Sequence, residues 1–189
     1  NIITWRNLDL PLQESKLNAW QDVLHIQLRK GTLNGCALLI HKSIFENCGY
    51  FDERLRFNQD AFMWYKIFIK GYGLLYSKYV GVQSRVHEQQ LTQTGQELFH
   101  HDSLKMSTFL IPKFLEISTR QENFLYYYSL YNAKYNNREV VSQCINLGKQ
   151  NTALTDRQIL SIHLFLYYGR LRPILRLLYH KFFNKMQLK

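Results

Sequence analysis

The chain has 189 residues, of which 46% are hydrophobic and 15% aromatic. This length allows one domain with a real core, and the composition excludes a disordered chain. Lysine and arginine exceed aspartate and glutamate by 24 − 14 = 10, so the protein should favour anionic partners, unless the charge is only a generic basic surface. No motif of a nucleic-acid-binding fold accompanies this charge, so we expect no nucleic-acid partner.

The cysteines indicate a reducing setting. Cys36, Cys48 and Cys144 show neither CxxC nor CxxH spacing, which favours reduced core residues over disulfides or a zinc site. No apolar run approaches the roughly 20 residues that span a bilayer, and no charged-then-apolar leader opens the chain. We therefore expect a cytoplasmic protein. The opening at Asn1, without a cap or strand pattern, is interpreted as an internal fragment or a separate domain.

Short apolar runs alternate with glycine turns through the first half of the chain. Unbroken apolar strands between helices are typical of an α/β fold with a buried sheet. We interpret residues 1–13 as a loop or a strand remnant. The further predicted elements are a helix over 14–29, a buried strand over 36–40, a short helical turn within 43–47, a helix over 61–70, and one or two short strands within 73–82.

After about residue 96 the pattern becomes helical throughout. Thr155 is a candidate N-cap, and Gly148 is a candidate helix break. The predicted helices cover 97–116, 121–135, 139–149, 156–168 and 170–186. We therefore predict an α/β domain over 1–95, followed by a mostly α-helical extension over 96–189.

A polar cluster, Asn58-Gln59-Asp60, stands at the entry of the apolar helix over 61–70. An ionised carboxylate can accept a proton, and the N-terminal end of a helix favours a negative charge. Trp64 follows one turn later, so a base and an aromatic face for a sugar fall on one side of the helix. An N-cap role for Asp60 is the structural alternative.

A second polar cluster, Arg85-Val86-His87, follows the predicted short strands in a loop. A neutral imidazole binds Mn²⁺ or Zn²⁺ well, and a guanidinium suits phosphate recognition. A structural histidine is the alternative. The sequence contains no Asp-x-Asp pair, no glycine-rich phosphate motif and no HExxH.

The C-terminal segment 170–189 reads as a basic amphipathic helix. Arg172, Arg176 and His180 fall four apart on one stripe, whereas leucine, isoleucine and phenylalanine gather on another. Such a helix can lie on an acidic membrane surface, and a core-packed helix with a solvated basic face is the alternative. The first interpretation predicts a protein peripheral to the cytoplasmic membrane.

The order and spacing of these motifs resemble those of family 2 glycosyltransferases, above all bacterial enzymes of polysaccharide and glycan assembly. The likeness covers about residues 20–95. It rests on Asn34-Gly35-Cys36 with the apolar run to Ile40, on Gly49-Tyr50-Phe51-Asp52-Glu53, on Gln59-Asp60 with Trp64, and on Arg85-x-His87-x-x-Gln90.

The resemblance implies a partial GT-A-like mixed sheet with helices and an inverting sugar transfer. A nucleotide-diphosphate sugar would be the donor, and a glycan or lipid-linked molecule the acceptor. The implied site consists of a general base at Asp60, substrate-binding residues at Gly35, Cys36, Gln59, Trp64 and Arg85, and a metal-holding residue at His87.

The chain also departs from the family pattern. Phe62 stands where a second acidic residue is common, and Lys66 replaces an arginine. The family's N-terminal half, with its nucleotide-binding sheet and Asp-x-Asp motif, is absent. A divalent metal, Mn²⁺ or Mg²⁺, is therefore expected only with that half, and we expect the chain alone to be inactive. The alternative is a non-catalytic aromatic and basic helical module that docks a partner protein or an anionic membrane surface.

Overall fold

The structure is a computed structural model of the chain. It describes residues 2–4, 12–31, 33–77, 79, 82, 84–86, 95–119 and 123–168. These residues fall into two compact units, Asn1–Ile117 and Ser118–Lys189. The domain boundary predicted at residue 95 stays a prediction, and the helix that follows that residue lies in the first of these units.

Helix α3 is the centre of the first unit, because it packs against each of the other three described helices there. Six of its eleven residues are buried, so nearly every face of it lies against protein. The helices of this unit are α1 Trp20–Lys30, α2 Lys42–Cys48, α3 Gln59–Ile69 and α4 Gln96–Ile117. Their bounds confirm the helices predicted within 43–47, 61–70 and 97–116.

Aromatic packing explains why α4 belongs to the first unit. The ring of Phe109 meets Phe62 edge-on at a centroid distance of 5.5 Å, and Phe114 meets Tyr65 at 6.0 Å. Phe114 is fully buried. Burial of side chains of this size stabilises a fold by about 1.5–3 kcal/mol each, so the helix is part of this core.

The described strands are short. They form two antiparallel pairs, β1 Ile2–Thr4 with β4 Ser84–Val86 and β2 Leu17–Asn18 with β3 Leu74–Leu75. A strand expected within 73–82 is thus present as β3, whereas β4 includes Arg85 and Val86, which were predicted to lie in a loop. Within the described ranges, however, no larger mixed sheet of the GT-A kind is present, and the unit is dominated by helices.

The helix predicted over 14–29 begins later than expected, at Trp20, and its first residues form strand β2 instead. Buried Asn18 explains the difference. Its Oδ1 accepts the backbone N–H of Gln13. Its Nδ2 donates to the backbone carbonyls of Gln13, Lys16 and Leu74. Asparagine that satisfies neighbouring backbone groups in this way competes with helix formation.

The prediction of a buried strand over 36–40 is wrong. Residues Gly35–Ala37 form a 3₁₀ turn, which Asn34 caps by accepting a hydrogen bond from the backbone N–H of Cys36 at 3.0 Å. Beyond the turn Leu38 is extended, and Leu39 is fully exposed. The apolar run therefore has no sheet partner among the described residues and lies at the surface.

The second unit is helical. Helices α5 Phe124–Lys134 and α6 Arg138–Gln150 pack on each other, and a further helix, α7, covers 156–168. These bounds agree with the helices predicted there. The predicted cap at Thr155 is confirmed as a capping box, in which the side chains of Thr155 and Gln158 each accept the other's backbone N–H.

None of the described helices is long and apolar enough to cross a membrane. The basic amphipathic helix predicted over 170–186 lies outside the described residues. The membrane contact expected of 170–189 therefore stays a prediction.

Candidate functional site

Asp60 lies in the first turn of α3, one residue after the helix begins at Gln59. Its Oδ1 accepts the backbone N–H of Ala61 at 2.7 Å, and its side chain is half-buried. The N-cap position belongs to Asn58, so the alternative that Asp60 is the N-cap is wrong. The other carboxylate oxygen, Oδ2, lies on the side of the 3₁₀ turn at Gly35–Ala37.

The 3₁₀ turn at Gly35–Ala37 lies directly against Asp60. A β-carbon at Gly35 would stand 3.6 Å from Oδ2 of Asp60, and also 3.6 Å from Cζ2 of Trp64. Three residues that were predicted to share one site, Gly35, Asp60 and Trp64, thus lie close together although they span 29 positions of the chain. Because Gly35 has no side chain, the backbone of the turn comes this close to the carboxylate oxygen.

Trp64 is buried, with 2% of its surface exposed. Phe51 packs edge-on against Trp64, with ring centroids 6.2 Å apart. The Nε1 atom of Trp64 has no hydrogen-bond partner in the described part of the chain. A direct stack of a sugar on Trp64 would require this ring to become exposed. The substrate-binding role of Trp64 stays a prediction, and in the structure its ring lies against Gly35.

Two aromatic rings near Trp64 do reach solvent. Phe51 is 44% exposed and Tyr50 is 65% exposed. Phe45 lies between them in the cluster, stacked on Tyr50 at 6.2 Å and tilted against Phe51 at 5.8 Å. The exposed aromatic face that sequence reasoning sought at Trp64 is therefore found on the Gly49–Glu53 motif.

Helix α1 fixes the loop that carries Gly35. Gln27, which is buried in α1, accepts the backbone N–H of Leu33 at 3.1 Å through Oε1. Asn34 then holds the turn as its cap. Cys36, at the centre of the turn, is exposed, so the prediction that it is a core cysteine is wrong, whereas Cys144 is indeed buried.

The Gly49–Glu53 turn is tied to α3 by Lys66. The Nζ of Lys66 donates to the carbonyl of Tyr50 at 2.9 Å and lies over the ring of Phe62. Further along the turn, hydrogen bonds from the Arg54 guanidinium hold the pKa of Asp52 at about 2. Asp52 therefore stays ionised well below neutral pH and keeps the turn closed on Arg54.

The segment before α3 is held by a residue that sequence reasoning missed. Asp102 of α4 is 1% exposed, and its Oδ2 accepts the backbone N–H groups of Arg56, Phe57 and Asn58. The only signal in the sequence was a charged residue on the apolar face of a helix. No sequence pattern indicated which backbone it would face.

The substrate-binding role of Arg85 and the metal-holding role of His87 stay predictions. Arg85 contributes backbone to β4, where it pairs with Ile3, and His87 lies outside the described residues. Gln59 is exposed beside Asp60. In the described part of the chain, no group of three histidine, cysteine, aspartate or glutamate residues could hold a metal ion.

Comparison with known proteins finds relatives that match part of the chain. The chain is 34% identical over 74 residues to an uncharacterized glycosyltransferase of Rickettsia typhi and 33% identical over 74 residues to one of Rickettsia prowazekii. It is 34% identical over 82 residues to an uncharacterized glycosyltransferase of Rickettsia bellii. The first two matches cover 39% of this chain and 23% of each relative, and the third covers 43% and 11%.

The chain thus matches less than a quarter of the length of these curated relatives. No protein-family model matches it. No solved structure matches it either. What the comparisons show is similarity of part of the chain to proteins named glycosyltransferases.

Proposed function

We propose that this chain forms the acceptor side of an inverting glycosyltransferase, in which Asp60 is the general base. The donor would be a nucleotide-diphosphate sugar, and the acceptor a hydroxyl group of a glycan or a lipid-linked sugar. The observation that carries the proposal is the close approach of Gly35 to Oδ2 of Asp60, which sets a half-buried carboxylate directly against the Gly35–Ala37 turn. The names of the partial relatives support the same reaction class.

The proposed chemistry is a single displacement. The acceptor hydroxyl oxygen attacks the anomeric carbon of the donor while its proton passes to the Asp60 carboxylate. The bond from the anomeric carbon to the diphosphate oxygen breaks, and its electron pair leaves with the nucleoside diphosphate. Inversion follows because the hydroxyl attacks from the face opposite to the leaving group.

The acceptor-binding surface in this proposal combines polar and aromatic groups. Exposed Gln59 precedes the base on the same turn, and Cys36 offers a backbone turn next to Gly35. Tyr50 and Phe51 provide the exposed rings on which the C–H surface of a sugar can stack. In this proposal the buried ring of Trp64 packs against Gly35 and supports the turn.

The donor side of the reaction depends on residues beyond those described. The family resemblance implies that Arg85 lies near the diphosphate and that His87 helps to hold a divalent ion, Mn²⁺ or Mg²⁺. Such an ion would stabilise the charge on the departing diphosphate. The described residues offer no group that fits a metal, so our proposal assigns them no metal-dependent step. We expect these 189 residues alone not to transfer sugar.

The test is made on the protein at its full natural length with Asp60→Asn. Release of nucleoside diphosphate is measured over a panel of UDP-, GDP- and dTDP-sugars in the presence of a lipid extract as acceptor source. Loss of a general base should lower kcat by about 100-fold or more. Asp22→Asn is the matched control, since Asp22 also lies in the first turn of a helix but is exposed on α1. Full transfer by Asp60→Asn would exclude Asp60 as the base.

One observation in the second unit favours a second function, that of a docking module. Residues along one stripe of α7 are apolar yet exposed, namely Leu160, Leu164, Tyr167 and Tyr168. An exposed apolar stripe on a basic chain suits an anionic membrane surface, which would make the protein peripheral to the cytoplasmic membrane. Co-sedimentation with phosphatidylserine vesicles tests this. Wild type should bind, and Leu160→Ser/Leu164→Ser should bind at least several-fold less.

A further inference from the structure

The start of α3 is held in place by α4 and not by a cap of its own. Asn58 occupies the N-cap position, but its side chain makes no capping hydrogen bond. The Asn58 amide instead donates to the carbonyl of Phe99 and to the hydroxyl of Ser103, both at 3.3 Å. Since a capping side chain normally fixes the first turn, the direction of this turn depends on α4.

Asp102 makes the strongest of these connections. Its Oδ2 accepts backbone N–H groups from Arg56 at 2.8 Å, Phe57 at 2.6 Å and Asn58 at 3.1 Å. Its Oδ1 lies 3.5 Å from Nδ1 of exposed His101. Hydrogen bonds to an ionised carboxylate are roughly twice as strong as neutral ones, and three of them converge here on one oxygen atom.

The three backbone groups belong to the residues that immediately precede Gln59 and Asp60. A shift of this segment therefore moves the base directly, through two peptide units. Phe57 also packs edge-on against Phe99 of α4, with ring centroids 5.9 Å apart. The contacts from α4 to the 56–58 segment thus combine a buried charge, a side-chain amide and an aromatic pair.

We propose that Asp102 is the positioning residue of Asp60: it holds the 56–58 backbone so that the Asp60 carboxylate faces the space beside Gly35. This inference rests on the proposed function for the role of Asp60. The position of Asp60 can be measured whether or not transfer is observed. Asp102 lies on α4, whereas Asp60 lies on α3, and in this scheme Asp102 touches no substrate.

The experiment compares Asp102→Ala, Asp102→Asn and Leu110→Ala in the protein at its full natural length. Leu110 is fully buried on the same helix two turns later, so its truncation destabilises α4 without removing a hydrogen bond to residues 56–58. Asp102→Asn keeps an acceptor oxygen but loses the charge. It should therefore fall between wild type and Asp102→Ala in every measurement.

Two readouts report on position directly. Hydrogen exchange of the Phe57 and Asn58 amides should accelerate about 10- to 100-fold in Asp102→Ala beyond any global change. The NMR resonances of the Asp60 carboxyl carbon and the Ala61 amide should shift in Asp102→Ala but not in Leu110→Ala. Unchanged Asp60 and Ala61 resonances in Asp102→Ala would overturn the proposal.

The third readout is transfer of sugar from the donor panel. In Asp102→Ala, kcat should fall about 10- to 100-fold with little change in the KM for the donor, because a misplaced base slows the chemical step. Equal losses in Asp102→Ala and Leu110→Ala would mean a merely structural role and would also overturn the proposal. If wild type transfers no sugar, the proposed function fails, and the exchange and NMR readouts still decide on Asp102.

Discussion

Gly35 and Asp60 meet although 25 positions separate them, with a hypothetical β-carbon of Gly35 only 3.6 Å from Oδ2 of Asp60. The contact joins a 3₁₀ turn capped by Asn34 to the first turn of α3. Side chains of increasing size at position 35 would therefore approach the Asp60 carboxylate more and more closely. A site that binds a substrate beside Asp60 should tolerate a methyl group there but no larger side chain.

Gly35→Ala and Gly35→Phe should therefore behave very differently. The alanine β-carbon would be in ordinary van der Waals contact, so folding and transfer should stay close to wild type. A phenyl ring would cover the carboxylate and should lower kcat/KM by about 100-fold, since productive approach to the base is lost. The two variants are compared by steady-state transfer and by thermal unfolding. Equal activity of both variants would show that the space beside Gly35 is not used.

The three thiols should differ sharply in reactivity. Burial raises the pKa of Cys144 to about 12, and burial also raises the pKa of Cys48. At pH 8 only about one in ten thousand Cys144 side chains is then a thiolate, which is the reactive form. Exposed Cys36 should react first with iodoacetamide, Cys48 more slowly, and Cys144 at least about 100-fold more slowly than Cys36. Mass spectrometry of timed digests checks this order, and urea should abolish it.

Modification of Cys36 also tests the site, because Cys36 adjoins Gly35. A carboxamidomethyl group on this thiol should lower transfer in proportion to the modified fraction, through steric occupation of the space beside Asp60. Cys36→Ser is the control: it should retain transfer and lose its sensitivity to the reagent. Sensitivity that persists in Cys36→Ser would place the effect at Cys48.

Parts of this structure could be predicted because their signals are local. Helix α3 is predicted by an apolar stretch that follows polar residues and ends before a glycine. That glycine, Gly71, has a positive φ of 91°, a conformation that favours glycine. The capping box at Thr155 is equally local. The family resemblance grouped Gly35, Asp60 and Trp64, and in the structure Gly35 lies close to the side chains of the other two.

The remaining features depend on partners distant in sequence. The apolar run over 36–40 predicts a strand only if another strand lies beside it, and Leu39 shows that none covers this run among the described residues. Burial of Trp64 depends on Phe51 and on the turn at Gly35. The role of Asp102 depends on backbone groups 44 to 46 positions away. No local pattern contains these pairings.

Gly148 of α6 should be intolerant of a side chain. A β-carbon there would lie 2.5 Å from Cδ1 and 2.6 Å from Cγ of Leu154, which folds back over the helix end. Alanine would gain about 1 kcal/mol of helix propensity but cost about 1–3 kcal/mol through overpacking, so Gly148→Ala should lower the free energy of unfolding by up to about 2 kcal/mol. Urea titration gives this value.

A double-mutant cycle isolates the contact that causes this loss. Leu154 is buried, so Leu154→Ala alone should cost about 2–5 kcal/mol through lost burial and a cavity. In the double variant Gly148→Ala no longer meets the leucine side chain and keeps its propensity gain, so its cost should vanish or change sign. The interaction free energy should then be roughly 1–3 kcal/mol. Strict additivity of the two substitutions would show that Leu154 does not press on position 148.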